Sequence, residues 1–194
     1  MERKYELAEK YFTATGCVAS LFRINDKEYG QMVMDRLNAL NLKQKAIEKI
    51  GLDEDQLKEI PPVFLHGYNF DNAYTKIGGD NRLRSSKYDA TWLFFSSTEV
   101  YMYSYTIDMV SESKAEKTEE YFYKDIVNFS SYSDTVEATK LTGCGGETKS
   151  IKRDYRGFSL VVPGEKFKCS TTGNEDADKS INAMKQKLRE MKEG

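Results

Sequence analysis

The stretch that decides the fold is a pair of aromatic runs, YDATWLFF at 88–95 and VYMYSYTI at 100–107, separated by SSTE at 96–99. Both runs have the length of a strand and are rich in aromatic and β-branched residues, which suit a pleated, half-buried surface. A polar spacer of this size fits a hairpin loop. The pattern predicts a β-hairpin, to which no catalytic or metal motif is attached.

Strand-like segments continue on both sides of this hairpin. Upstream, residues 63–74 predict a strand and 77–84 a loop, whereas downstream the polar residues 108–118 predict a loop. Further strands are predicted at 119–129, 132–140, 148–155, 158–162 and 166–170. Pro163-Gly164 suits the turn between the last two, so the chain from residue 63 onward is predicted to be mainly antiparallel sheet.

After Gly173 the sequence is helical, with Asn174 as a candidate N-cap. Apolar residues then recur at steps of four and three, making one narrow seam: Ala177, Ile181, Met184, Leu188 and Met191. The seam is short for a coiled coil, although that alternative stays open. The favoured interpretation is a terminal helix that packs its seam over the open end of a barrel.

Residues 1–60 have a helical pattern. One helix is predicted to end near Gly16, a second to begin at about Asp26 as its cap, and a third to cover 43–50. A strand or connector is expected at 17–24 and a helical turn at 53–59. Pro61-Pro62 stops any helix, so the predicted division is a helical region at 1–60 and a strand-rich domain at 61–194.

Composition excludes several classes of protein. The net charge is −2 and neither half is basic, whereas nucleic-acid binders usually carry a basic face, so no nucleic acid is expected. The longest strongly apolar run, 92–95, is far below the roughly 20 residues of a membrane span. The charged N-terminus lacks the apolar stretch of a signal peptide, and an odd number of cysteines favours reduced thiols. A cytoplasmic protein is expected.

No motif for a metal, a cofactor or a reaction stands out. His66 is the only histidine, and no cysteine spacing supports a zinc site around it. The segment GCGGETKS at 143–150 departs from the phosphate-binding P-loop pattern at Thr148, and strands flank it where a helix should follow. A flexible hairpin loop with Cys144 exposed is the expectation there. A hydrolase built on serine, His66 and aspartate is the third-ranked function.

From about Val63 to Met191 the chain resembles the bacterial pleckstrin-homology (PH)-like domains. The resemblance rests on the order of several strands closed by one amphipathic helix, and on four segments: SKYDATWLFFSSTEVYMYSYTID at 86–108, YFYKDIVNF at 121–129, FSLVVPGEKFKCS at 158–170 and INAMKQKLREM at 181–191. Residues 42–63 look like the N-terminal part of uncharacterised bacterial proteins that carry such a domain. The resemblance implies an α+β protein with a PH-like antiparallel β-barrel or sandwich capped by the C-terminal helix.

PH-like folds generally bind lipid head groups, peptides or proteins, so the resemblance favours a non-catalytic interaction module with a protein or peptide partner. The alternative is an anionic head group or phosphate, because the predicted loop between the first two strands is basic. Its candidate ligands, similar to a phosphoinositide pattern, are Lys76, Arg82, Arg84 and Lys87. Asp71 and Asp80 nearby argue against it.

A row of tyrosines marks the other candidate surface. Tyr101, Tyr103 and Tyr105 alternate along the second strand of the hairpin and therefore share one face. The row is expected to pack against the N-terminal helices. An exposed aromatic patch that contacts a partner is the alternative.

Overall fold

The computed structural model describes residues 2–15, 24–52, 61–142 and 147–193. The helices are α1 (Glu2–Thr13), α2 (Asp26–Ala39), α3 (Leu42–Ile50) and α4 (Ala177–Glu193). The strands are β1 (Val63–Asn69), β2 (Thr75–Ile77), β3 (Leu83–Ser85), β4 (Lys87–Phe95), β5 (Glu99–Asp108), β6 (Lys114–Phe122), β7 (Asn128–Thr142), β8 (Glu147–Val162) and β9 (Glu165–Ser170). The predicted turn at 53–59, most of the connector at 17–24, and Cys144 lie outside the described residues.

The α2 N-terminus is capped by Asn25 rather than by Asp26. The Asn25 side chain accepts hydrogen bonds from the backbone N–H groups of Lys27 and Glu28, both at 2.9 Å, and Glu28 Oε2 accepts from the Asn25 N–H at 2.8 Å. This capping box leaves the Asp26 carboxylate available for tertiary contacts. Asp26 accepts from the Tyr11 hydroxyl at 2.8 Å and from the Gly79 N–H at 2.7 Å, which joins α1 and α2 to the loop after β2.

The predicted α+β class is confirmed, with two sheets between the N-terminal helices and α4. The first sheet has the order β1-β4-β5-β6 and is antiparallel, with β4 and β5 forming the predicted hairpin in which Tyr88 pairs with Ile107 and Phe95 with Val100. The second sheet has the order β3-β2-β7-β8-β9 and is mixed, because β2 runs parallel to β7.

The two sheets do not close into the expected barrel. Among the described strands no ladder joins one sheet to the other. The sheets meet where the Tyr68 N–H donates to the Thr172 carbonyl at 2.9 Å, just beyond the end of β9. Since Tyr68 lies near the end of β1, this bond ties one end of that strand, while β9 and α4 both pack close to β1. Val63, Phe64 and His66 of β1 face α4 across a groove.

Several predicted boundaries are wrong. The predicted loop at 77–84 contains the start of β3, and β6 begins at Lys114, inside the predicted loop at 108–118. The segments 148–155 and 158–162 are one strand, because β7 pairs with β8 without interruption from Asn128 to Thr142. The last helix starts at Ala177, since the Asn174 side chain accepts instead from the Asp176 N–H at 3.0 Å in the preceding turn.

One hydrophobic core lies between the two sheets and α4. The apolar seam predicted for α4 contributes its buried residues Ile181, Met184 and Leu188 to this core. The sheets contribute Leu65, Leu93, Phe95, Val100, Met102, Phe158 and Leu160, among others. The seam is therefore used within the described fold as a packing face.

A second core covers the opposite face of the first sheet. The buried residues from the helices are Ala8, Tyr11, Tyr29, Val33, Leu37, Leu42 and Ala46, and those from the sheet include Ala90, Phe94, Tyr103, Tyr105 and Ile107. Alternation along β4 and β5 explains the division, because successive side chains of a strand point to opposite faces. Strands β4 and β5 are thus buried on both faces, which accounts for their nearly continuous apolar sequences.

Candidate binding sites

The four basic residues proposed for anion binding do not converge on one pocket. Lys76 is only 5% exposed, and its Nζ donates to the Tyr11 carbonyl at 2.6 Å and lies 4.0 Å from the centre of the Tyr11 ring. Arg84 is 7% exposed and donates to both oxygens of Asp80, at 2.8 and 2.6 Å. These two cations are engaged in internal contacts that hold the β2-β3 hairpin and α1 together.

The other two basic residues lie at separate places on the surface. Lys87 Nζ donates to the Asp71 carbonyl at 3.1 Å, whereas Arg82 is exposed and pairs with Glu175 at 2.9 Å. Among the four, only Arg82 lines a described cleft, and it does so together with Arg153 and Arg156 of β8. These two arginines could not be predicted from the sequence, because residues three apart on a strand point to opposite faces. Both reach one cleft because they lie at an open edge of β8.

The tyrosine row lies largely beneath the N-terminal helices. Tyr103 and Tyr105 are buried in the core shared with α2 and α3, and Tyr101 is half-buried beside that core. The Tyr103 hydroxyl donates to Glu116 Oε1 at 2.5 Å, and Tyr101 donates to Glu99. In this arrangement Tyr103 and Tyr105 present no surface to a partner.

The larger described cavity is a groove between β1 and α4, which we name the β1-α4 groove. Its volume is about 650 Å³, within the range of ordinary ligand sites. The α4 wall lies beside the buried seam and consists of Lys179, Ser180, Ala183 and Lys187, with Asp176 in the turn before the helix. The opposite wall and the ends consist of Pro61, Pro62, Val63, Phe64, His66, Phe95 and Asn174.

The edge of β1 that faces this groove has backbone groups available for hydrogen bonding. Backbone groups alternate sides along a strand, and the Tyr68 N–H points away from β4 toward Thr172. The N–H and C=O groups of Phe64 and His66 therefore point away from β4 as well. Within the described part of the chain these outward groups have no backbone hydrogen bond.

His66 sits on the wall of the groove with its ring half-buried. Its Nδ1 shares a hydrogen bond of 2.6 Å with the Tyr88 hydroxyl, and its ring stacks on Phe64 with 4.8 Å between centroids. Burial lowers the pKa of the imidazole below its usual value of 6.5, which favours the neutral ring at physiological pH.

A serine and an aspartate, Ser180 and Asp176, line the same groove as His66. Nucleophilic catalysis needs a hydrogen bond between the nucleophile and its base, with a third group orienting the base. No hydrogen bond joins His66 to Ser180 or Asp176 among the residues that the structure describes. The groove thus brings together residue types of the hydrolase hypothesis without the contacts of a triad.

Comparison of the chain with protein-family models, with curated proteins and with solved structures found no match. Across the described ranges, no helix combines the length and the apolar character needed to cross a membrane. Nor do the residues of those ranges contain a cluster of three or more histidine, cysteine, aspartate or glutamate side chains able to hold a metal ion.

Proposed function

We propose that this chain is a non-catalytic, cytoplasmic interaction module with a PH-like domain, and that it binds an extended peptide segment of a protein partner in the β1-α4 groove. The element order supports the PH-like assignment, since the antiparallel meanders β4-β5-β6 and β7-β8-β9 are followed by one amphipathic helix that covers the core. Fold alone gives a weak functional argument, so the proposal rests on the groove.

The observation that carries the proposal is the open edge of β1 opposite a helix face. An extended peptide can add a strand to such an edge, where backbone hydrogen bonds provide affinity and side-chain contacts provide specificity. Phe64 and His66 each offer one N–H and one C=O to the incoming strand. The segment from Val63 to His66 would pair with about four residues, roughly 13 Å of peptide.

The lining of the groove defines the chemistry of the peptide. Phe64, Phe95 and Ala183 form an apolar surface, which suits an aliphatic or aromatic side chain. Lys179 and Lys187 lie on the α4 wall, where they pair with Asp176 at 3.2 Å and Glu190 at 3.9 Å, and an incoming carboxylate can replace such ion pairs. An acidic residue two positions from the apolar one would meet this wall, because alternate residues of a strand share a face. The expected ligand is therefore a short extended segment with one apolar and one acidic residue.

A random peptide library selected against the full chain tests the proposal, with the affinity of enriched peptides measured by fluorescence anisotropy. Ala183→Trp places an indole in the groove and is expected to weaken binding at least tenfold. Asn182→Trp is the matched control, because Asn182 is an exposed neighbour on α4 that does not line the groove. The two variants should have equal thermal stability.

Binding that is lost in Ala183→Trp and retained in Asn182→Trp supports the proposal. Failure to enrich any saturable peptide contradicts it, and so does equal affinity for the two tryptophan variants. An activity that depends on His66 in a screen of generic ester and peptide substrates would instead favour the hydrolase alternative.

A further inference from the structure

A second cavity lies at the open edge of β8, and we name it the arginine cleft. It has a volume of about 470 Å³ and is lined by Arg82 from the turn before β3, by Arg153 and Arg156 from β8, and by the segment from Thr171 to Glu175. The cleft exists because β9 pairs with β8 only from Gly157 onward, and no other strand of the described residues covers that side of the earlier part of β8.

The cations in and beside the cleft are incompletely neutralised. Asn81 Oδ1 accepts from Arg153 at 3.2 Å and from Lys140 at 3.1 Å, so two positive side chains share one neutral oxygen. Among the described residues neither Arg153 nor Lys140 forms a salt bridge. Two carboxylates, Asp154 and Glu175, also line the cleft, so its three arginines exceed its acidic residues by one.

The remaining two arginines have partners that an incoming anion can replace. Arg82 pairs with Glu175 at 2.9 Å and Arg156 with Asp178 at 3.4 Å, and all four side chains are more than 60% exposed. Exposed ion pairs contribute little to stability and are screened by salt. Guanidinium groups, with donors arranged in a planar fork, bind phosphate oxygens in a bidentate manner.

We infer that the arginine cleft binds a phosphate group, carried either by a soluble phosphorylated molecule or by a lipid head group. Arg153 and Arg156 are its principal ligands, and Arg82 contributes after it leaves Glu175. The site differs from the basic loop expected from sequence, since Lys76 and Arg84 take no part in it. The cleft adjoins the β1-α4 groove at Asn174, which lines both, but its three arginines lie outside that groove, so each site is tested by its own variants.

Two probes distinguish the sources of the phosphate. Inorganic pyrophosphate is titrated into the full chain by calorimetry, and sedimentation is measured with phosphatidylcholine vesicles that contain a phosphoinositide. The double variant Arg153→Gln/Arg156→Gln should bind at least roughly tenfold more weakly, because two charge-assisted partners are lost. The control Lys152→Gln/Lys166→Gln removes the same charge from exposed positions of β8 and β9 that do not line the cleft.

Pyrophosphate binding that is weakened by Arg153→Gln/Arg156→Gln but not by Lys152→Gln/Lys166→Gln supports the inference with a soluble ligand. Vesicle binding that is weakened by the same arginine variant alone supports it with a lipid head group. Absence of binding to both probes at low ionic strength overturns it. Equal weakening by the lysine pair also overturns it, because the attraction would then belong to the general surface charge. Matching thermal melts of the two double variants exclude a folding defect as the cause.

Discussion

Replacing Tyr103 by alanine is expected to lower the free energy of unfolding by about 4 kcal/mol, since truncating a fully buried aromatic side chain costs about 3–5 kcal/mol. Tyr103 is 0% exposed and packs beneath the N-terminal helices. At about 2–4 °C per kcal/mol for a chain of this size, the melting temperature should fall by about 8–16 °C. Tyr74→Ala is the matched control, because Tyr74 is 47% exposed and should cost less than about 1 kcal/mol.

Urea unfolding followed by circular dichroism measures these differences. Tyr103→Phe is the conservative variant: it keeps the ring in the core and removes only the hydroxyl that donates to Glu116, at an expected cost of about 1 kcal/mol. If Tyr103→Ala does not fold, a lower free energy of unfolding for Tyr103→Phe than for the wild type still tests the buried contact. Equal costs for Tyr103→Ala and Tyr74→Ala would refute the placement of the tyrosine row under the helices.

The remaining predictions concern pH and backbone packing. The hydrogen bonds from Arg84 lower the pKa of Asp80 to about 2. The stabilisation that the Asp80 carboxylate provides is therefore complete above about pH 4 and is lost as the pH falls toward 2. Urea melts of Asp80→Asn should lack this loss. Burial lowers the pKa of His66, so the unfolded chain takes up a proton first and stability should fall as the pH drops below about 6.5. NMR titration of this single imidazole would check the pKa, and melts of His66→Gln should lack this fall just below pH 6.5. Gly157→Ala places a methyl group 2.3 Å from the Cys169 carbonyl oxygen and should destabilise the fold by about 1–3 kcal/mol. Gly30→Ala adds a methyl group in open space within α2 and should stabilise the fold by about 0.5–1 kcal/mol. Thermal melts measure both, and a more stable Gly157→Ala than Gly30→Ala would contradict the strand contact.

The hairpin at 88–107 and the α4 seam could be predicted because each is encoded by local periodicity. Aromatic and β-branched runs around a polar spacer define β4 and β5, and steps of three and four define the buried face of α4. The position of the second helix was also predictable, but its cap was not. Asn25 and Asp26 are both good caps in isolation; in the fold Asn25 forms the capping box with Glu28, and Asp26 accepts from Tyr11 instead.

The candidate sites could not be read from the sequence because they depend on strand edges. Lys76 and Arg84 have the spacing of a ligand-binding hairpin. In the fold, however, Lys76 contacts Tyr11 and Arg84 contacts Asp80, and these contacts bury both cations. Arg153 and Arg156 reach one cleft only because β9 stops short of the full length of β8. Spacing along a chain does not reveal which strand remains unpaired, so sheet order had to be known first.

The proposed strand addition at β1 is tested most directly by amide hydrogen exchange with and without a selected peptide. The account predicts that the N–H groups of Phe64 and His66 become strongly protected on binding. Leu65, whose N–H already faces β4, should change little. Protection that leaves Phe64 and His66 unchanged, or that appears only around the arginine cleft, would contradict the claim that this edge receives the partner.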